Sequence, residues 1–170
     1  MQLNRSMRLM VVLLLAGCSW ESHSEGRAAA RQFAAEFYAW YRPAGGAERG
    51  VNEVLKERRA WLTPQLASLL EADQACASRA QAVCRLDFDP FLNSQDPCEK
   101  YEVDGDMIPY RDLREVWVLV RATCSGRPDS IPTADLVLIP SGVSWVIKDV
   151  RYPQTRDPLI SILSTESPAP

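Results

Sequence analysis

Histidine is almost absent from this chain: there is one, His23, in 170 residues. A zinc hydrolase site built on paired imidazoles has nothing to draw on, and neither does an Asp–His acid–base couple inside a domain. Basic residues are not in excess either. Nineteen Lys and Arg stand against 22 Asp and Glu, a formal charge of −3, so the positive stripe that a phosphate backbone selects is missing and no nucleic-acid partner is expected. The N-terminal apolar run, Leu9 to Leu15, is far shorter than the ~20 residues of a membrane span. There is no Gly-rich phosphate loop, G-x-S-x-G, H-E-x-x-H or internal repeat. These absences lead us to expect no catalytic residues, no cofactor and no metal ligands. What remains is ordinary globular material, 46% hydrophobic and 24% charged, enough for one core and one domain.

The first residues read as an export signal. Arg5 and Arg8 supply a positive start, the apolar run follows, and small residues come next. Leu15-Ala16-Gly17-Cys18 resembles the bacterial lipobox, at which a peptidase cuts before the cysteine and a diacylglyceryl group modifies it. Residues 1–17 are then the lipoprotein signal peptide and Cys18 becomes the acylated first residue. Each buried acyl CH₂ contributes ~0.8 kcal/mol, and two or three chains together give durable anchoring. The expected membrane contact is therefore through acyl chains on Cys18. Ser19, in place of the Asp that retains such proteins at the inner membrane, implies the outer membrane, facing the periplasm. Residues 18–26 form the lipidated cysteine and a tether, which reaches under ~30 Å even when extended. His23 falls in this tether, where nothing holds it rigidly enough for catalysis.

Cleavage removes two arginines and no acid, leaving 17 basic against 22 acidic residues. Four cysteines remain: Cys76, Cys84, Cys98 and Cys124. An even number in an oxidising compartment reads as two disulfides. Three connectivities are open; Cys76 with Cys84 and Cys98 with Cys124 is the pairing we favour. The intervals of 8, 14 and 26 lack the close pairs of a zinc site.

Apolar periodicity divides the rest. Phe33, Phe37, Trp40 and Tyr41 recur at helical intervals among alanines from Arg27 to Tyr41, and Pro43, Gly45 and Gly46 end that helix. Val51, Val54, Leu55 and Leu62 fit a second helix. Thr63-Pro64 then looks like a cap with proline at the first helical position, leading into Leu66, Leu69 and Leu70. After Asp96 the period falls to 2. Val116 to Thr123 and Ala134 to Ile139 read as strands, and Pro140-Ser141-Gly142 turns the second into Val143 to Tyr152 as an antiparallel hairpin. Lys100 to Tyr110 is a weaker strand, interrupted at Asp104-Gly105-Asp106. Residues 27–152 form the domain, and 153–170 a proline-containing tail whose apolar patch, Leu159 to Leu163, is able to dock locally. In the last strand, Trp145, Ile147, Asp149 and Arg151 should share one face.

Three stretches carry a family resemblance: Phe37-Tyr38-x-Trp40-Tyr41, Asp89-Pro90-Phe91-Leu92-Asn93-Ser94-Gln95-Asp96, and Trp145-Val146-Ile147-Lys148-Asp149-Val150-Arg151-Tyr152. Together they resemble an uncharacterised bacterial family of exported proteins and lipoproteins of the nuclear-transport-factor-like (cystatin-like) superfamily. The resemblance implies an α+β fold with N-terminal helices packed on a curved antiparallel sheet, a cone.

Read on its own chemistry, the middle stretch is first of all a structured loop, with Asp89-Pro90 starting a turn and Asn93, Ser94 and Asp96 bonding nearby backbone. Its functional alternative is a recognition loop, with Phe91 as anchor and Gln95 and Asp96 as polar contacts, and Asp89 is counted with them as a candidate binding residue. A calcium loop from Asp87, Asp89, Asn93 and Asp96 lacks the EF-hand glycine and terminal glutamate. Trp145 and Asp149 complete the candidate binding residues. Asp149 could be a buried acid or base beside tryptophan, but pairing with Arg151 or another arginine is the plainer expectation. The function expected is a non-catalytic envelope lipoprotein that binds another protein of an envelope assembly. The alternatives are an immunity or inhibitor protein against a periplasmic toxin, and a small-molecule-binding or enzymatic cone.

Overall fold

In a computed structural model of the chain, the described residues are 24–43, 49–109, 112–155 and 157–165. Cys18 and His23 lie outside them, as do Gly45 and Gly46. Helix α1 occupies residues 24–41, so the helix is already formed across Gly26, where the tether was expected to continue. Ala30, Phe33, Ala34, Phe37, Tyr38 and Tyr41 are buried along one stripe of it, the i, i+3, i+4 spacing of a helix packed on one side.

Helix α2, Val51–Glu57, opens with the Gly50 amide donating to Glu53 Oε2 at 2.9 Å. It stops earlier than its apolar series suggests. Arg58 leaves helical geometry at φ −134°, one 3₁₀ turn follows at Arg59–Trp61, and Leu62 is extended. Just downstream, a residue before proline avoids the helical region, so Thr63 is extended and its hydroxyl accepts from the Leu66 amide as cap of α3, Pro64–Ala80. Leu62 therefore buries itself through a parallel bridge to Ile147 instead of a helical face.

The strands are β1 (Lys100–Met107), β2 (Val116–Cys124), β3 (Arg127–Pro128), β4 (Ala134–Ser141) and β5 (Ser144–Arg151). The main sheet runs β1-β2-β4-β5, every pair antiparallel, with β3 paired to the end of β2. The described residues thus form an α+β fold. Val116, Val118, Val120 and Ala122 of β2 face inward with Leu136 and Leu138 of β4, and they share one core with the stripes of α1 and α3.

Two irregularities break the strand alternation. One falls at Asp104 in β1, the other at Lys148 in β5, where Val137 opposes Asp149 while Leu138 opposes Ile147. An extra residue on one strand reverses the phase of everything after it. Ile147 and Val150 are consequently both buried, and Asp149 does not share the face of Ile147 as strict alternation required. The apolar patch of the tail is helix α4, Leu159–Ser164, with Leu159 and Leu163 sealed in the core. The packed unit therefore extends beyond Tyr152.

Of the three connectivities open to the four cysteines, the structure has Cys76–Cys84 and Cys98–Cys124.

The antiparallel order sorts the molecule into two ends. The C-termini of β1 and β4 and the N-termini of β2 and β5 meet at one, together with the start of α1, where Gly26 lies against the Trp145 ring and Arg27 and Arg31 both bond Asp106. The Cys98–Cys124 bridge and the C-terminal end of α1 mark the other.

Candidate functional site

The segment Asp89 to Asp96 lies at that second end, and its shape follows from one carboxylate. Asp89 Oδ1 accepts from the amides of Phe91 (2.9 Å) and Leu92 (3.0 Å), and its Oδ2 accepts from the Tyr41 hydroxyl at 2.5 Å. The Asp89 amide then donates to the Ser94 carbonyl at 2.9 Å, closing the loop. Ser94 Oγ bonds both the amide and the carbonyl of Asp96.

Three further clasps fix the loop to the body. Tyr38 donates its hydroxyl to the Phe91 carbonyl (2.7 Å), Tyr152 donates to the Pro90 carbonyl (2.9 Å), and Asn93 Nδ2 donates to the Thr133 carbonyl and to Gln154 Oε1. Burial raises the Tyr38 and Tyr152 phenols well above their ordinary range, with Asp89 nearby adding to it. Both stay protonated and act as donors to backbone, not as acids or bases.

Phe91 is fully buried, its ring 5.1 Å from Phe37 and 5.3 Å from Tyr41. It is the anchor of the loop onto α1 and offers no surface to a partner, which corrects its role in the recognition-loop alternative. Gln95 and Asp96 are exposed. Gln95 Nε2 donates to Asp87 Oδ2 at 3.2 Å, and beside them an open groove of about 400 Å³ is lined by Val83, Leu86, Phe88 and Pro97. Sequence reasoning did not single out Val83, Leu86 or Phe88. They sit in the irregular segment between α3 and β1, outside any element whose period would mark them. The alternation of Leu86 and Phe88 about Asp87 was the one available signal.

The calcium alternative does not assemble. Both Asp89 oxygens accept from protein donors and the Asn93 amide is directed at Thr133 and Gln154. Among the described residues no group of three or more His, Cys, Asp or Glu is arranged to hold a metal ion.

Trp145 and Asp149 are not part of this loop. Trp145 is at the opposite end of β5, against Gly26. Asp149 Oδ1 accepts from the amides of Val150 (2.9 Å) and Ile160 (3.0 Å), so it holds the first turn of α4. Burial raises its carboxyl despite these bonds and the charge of Arg151. The expected pairing with an arginine is replaced by these backbone donors: the Arg151 guanidinium instead lies 4.4 Å over the Trp117 ring. Further inside, Phe37, Tyr41, Trp61 and Phe91 pack ring on ring at centroid separations of 5.1–6.1 Å, filling the space between α1 and its neighbours.

Compared with known proteins, the chain has no match: no family model, curated protein or solved structure is similar to it.

Proposed function

We propose that this chain is an envelope lipoprotein, anchored through acyl groups on Cys18 at the outer membrane and facing the periplasm. Its domain binds another protein of an envelope assembly without catalysis. The nuclear-transport-factor-like reading of the α+β unit rests on its sequence motifs; the extra residues at Asp104 and Lys148 support it, since such irregularities bend the strands that carry them. The observation that carries this reading is the separation of the two ends: α1 begins at one, while the rigid Asp89–Asp96 loop and its open groove occupy the other. A domain held at its N-terminus would present that groove away from the bilayer. Two disulfides in the folded domain suit an oxidising compartment. Committed phenols and a carboxylate engaged by backbone amides support a binding role over an acid–base one.

Crosslinking in intact cells followed by mass spectrometry tests it, comparing wild type with Cys18→Ser and with Val83→Asp/Gln95→Arg. A partner captured by wild type and lost in the groove variant is expected, and loss in Cys18→Ser would tie capture to anchoring. Capture indifferent to the groove variant overturns the binding site. Failure of radiolabelled palmitate to enter the protein overturns the anchor.

A further inference from the structure

The end of the sheet opposite the groove carries an apolar surface that the function above does not use. Val143, at the tip of the β4–β5 hairpin, is 109% exposed, Leu113 in the β1–β2 connection is 72% exposed and Met107 46%. Behind them a shallow hollow of about 200 Å³ is lined by Ile108, Pro140 and the half-buried Trp145. Covering large aliphatic side chains this open to water is favourable by roughly 25 cal/mol per Å² of apolar area. Gly142, at φ 62°, allows the tight turn that holds Val143 at the extremity.

We propose that this end of the domain seats directly in the lipid leaflet, with Val143 and Leu113 inserted and Trp145 at the headgroup level. The inference rests on the acylation of Cys18 proposed above. Five residues separate Cys18 from the first described residue of α1, Ser24, so the anchor lies within about 20 Å of that helix start even with the chain fully extended. Gly26 and Arg27 line the same hollow as Trp145. The lipid thus enters at the end that is apolar, and a tether this short keeps that end at the surface.

The charges there suit a bilayer too. The Asp106 carboxylate is held by Arg27 and Arg31, Asp112 by Arg114, and Glu115 by Lys148. These three carboxylates are therefore paired with bases at the end where an anionic leaflet would otherwise repel them. Arginine stems at the rim lie along apolar surface and keep their guanidinium groups among headgroups. Tryptophan is the side chain most at home at that depth. The acyl chains supply the anchoring energy; the seat fixes which way the domain points.

The test uses the acylated full chain in phosphatidylethanolamine–phosphatidylglycerol vesicles, with a nitroxide on Val143→Cys or, in a second sample, on Gln95→Cys. Mass spectrometry of the same samples records the acyl groups on Cys18. Expected is a label at 143 reached by oxygen and shielded from an aqueous nickel chelate, and a label at 95 with the reverse accessibility. Adding Leu113→Asp to the Val143→Cys chain is expected to restore nickel access. Acylated protein whose label at 143 is as open to nickel as that at 95 overturns the seat and leaves the lipoprotein reading standing. Spin–spin broadening at 143 means that a second copy covers the surface, and overturns it as well. An unmodified Cys18 overturns both.

Discussion

Phe91 and Asp149 are the two residues whose surroundings say most about what substitution would do. Phe91 is sealed under α1, so Phe91→Ala is expected to cost about 3–5 kcal/mol, read as a lowered denaturation midpoint. Partner loss in a fully stable Phe91→Ala protein would instead make it a contact residue. Asp149 separates charge from hydrogen bonding. Asp149→Ala strips the Val150 and Ile160 amides of their acceptor and should lose about 1–3 kcal/mol. Asp149→Asn keeps an acceptor oxygen and removes a buried charge, so at neutral pH it should be at least as stable as wild type. Because folding raises this carboxyl, its contribution to stability is fully present below the unfolded value near 3.9 and is lost as pH rises through the folded one. Wild type should therefore gain on Asp149→Asn as pH falls, which melting curves across pH would record.

Among the elements, α1 and α4 each meet an acidic residue of the sheet, Asp106 and Asp149. Burial pushes Asp106 up, but its bonds to Arg27 and Arg31 outweigh this and leave it below the usual carboxylate range. The sign is thus opposite to that of Asp149: the stabilisation is present above about pH 3.9 and disappears as pH falls through the depressed value. Asp106→Asn is expected to lower stability by about 1–3 kcal/mol at pH 7, and its deficit should shrink in acid. For α4, Leu159→Ala should cost about 2–5 kcal/mol, because Leu159 is fully buried; a tail that only visits the surface would show no change in melting temperature. The Thr63-Pro64 start of α3 and the β4–β5 hairpin were legible because proline, capping threonine and turn glycine act locally. The early end of α2 and the phase change in β5 were not, since Leu62 and Val150 are placed by partners on other elements.

Across the whole molecule, the two disulfides differ in what they constrain. Closing the 26-residue interval of Cys98–Cys124 should stabilise by about 3.5 kcal/mol and the 8-residue interval of Cys76–Cys84 by about 2.5 kcal/mol, from loop entropy alone. Cys98→Ser/Cys124→Ser is therefore expected to lower the midpoint of urea unfolding more than Cys76→Ser/Cys84→Ser does. The longer bridge also joins the start of β1 to the end of β2 beside the Asp89–Asp96 loop, so its loss should raise hydrogen exchange at that end and spare the β4–β5 turn.

Export grammar, the lipid-modified cysteine as an expectation, the helical stripe of α1 and the α+β class all follow from residues close together in the chain. Local composition and spacing are enough to express them. Which residues of the motif face water was decided only by tertiary packing. Asp89, Phe91 and Tyr152 are drawn inward by Tyr41, Phe37 and the Pro90 carbonyl. Gln95 is left at the rim of a groove built from an irregular segment, and Trp145 is carried to the far end of the sheet. Antiparallel pairing sets those positions, and it depends on contacts between residues tens of positions apart, which no short-range pattern encodes.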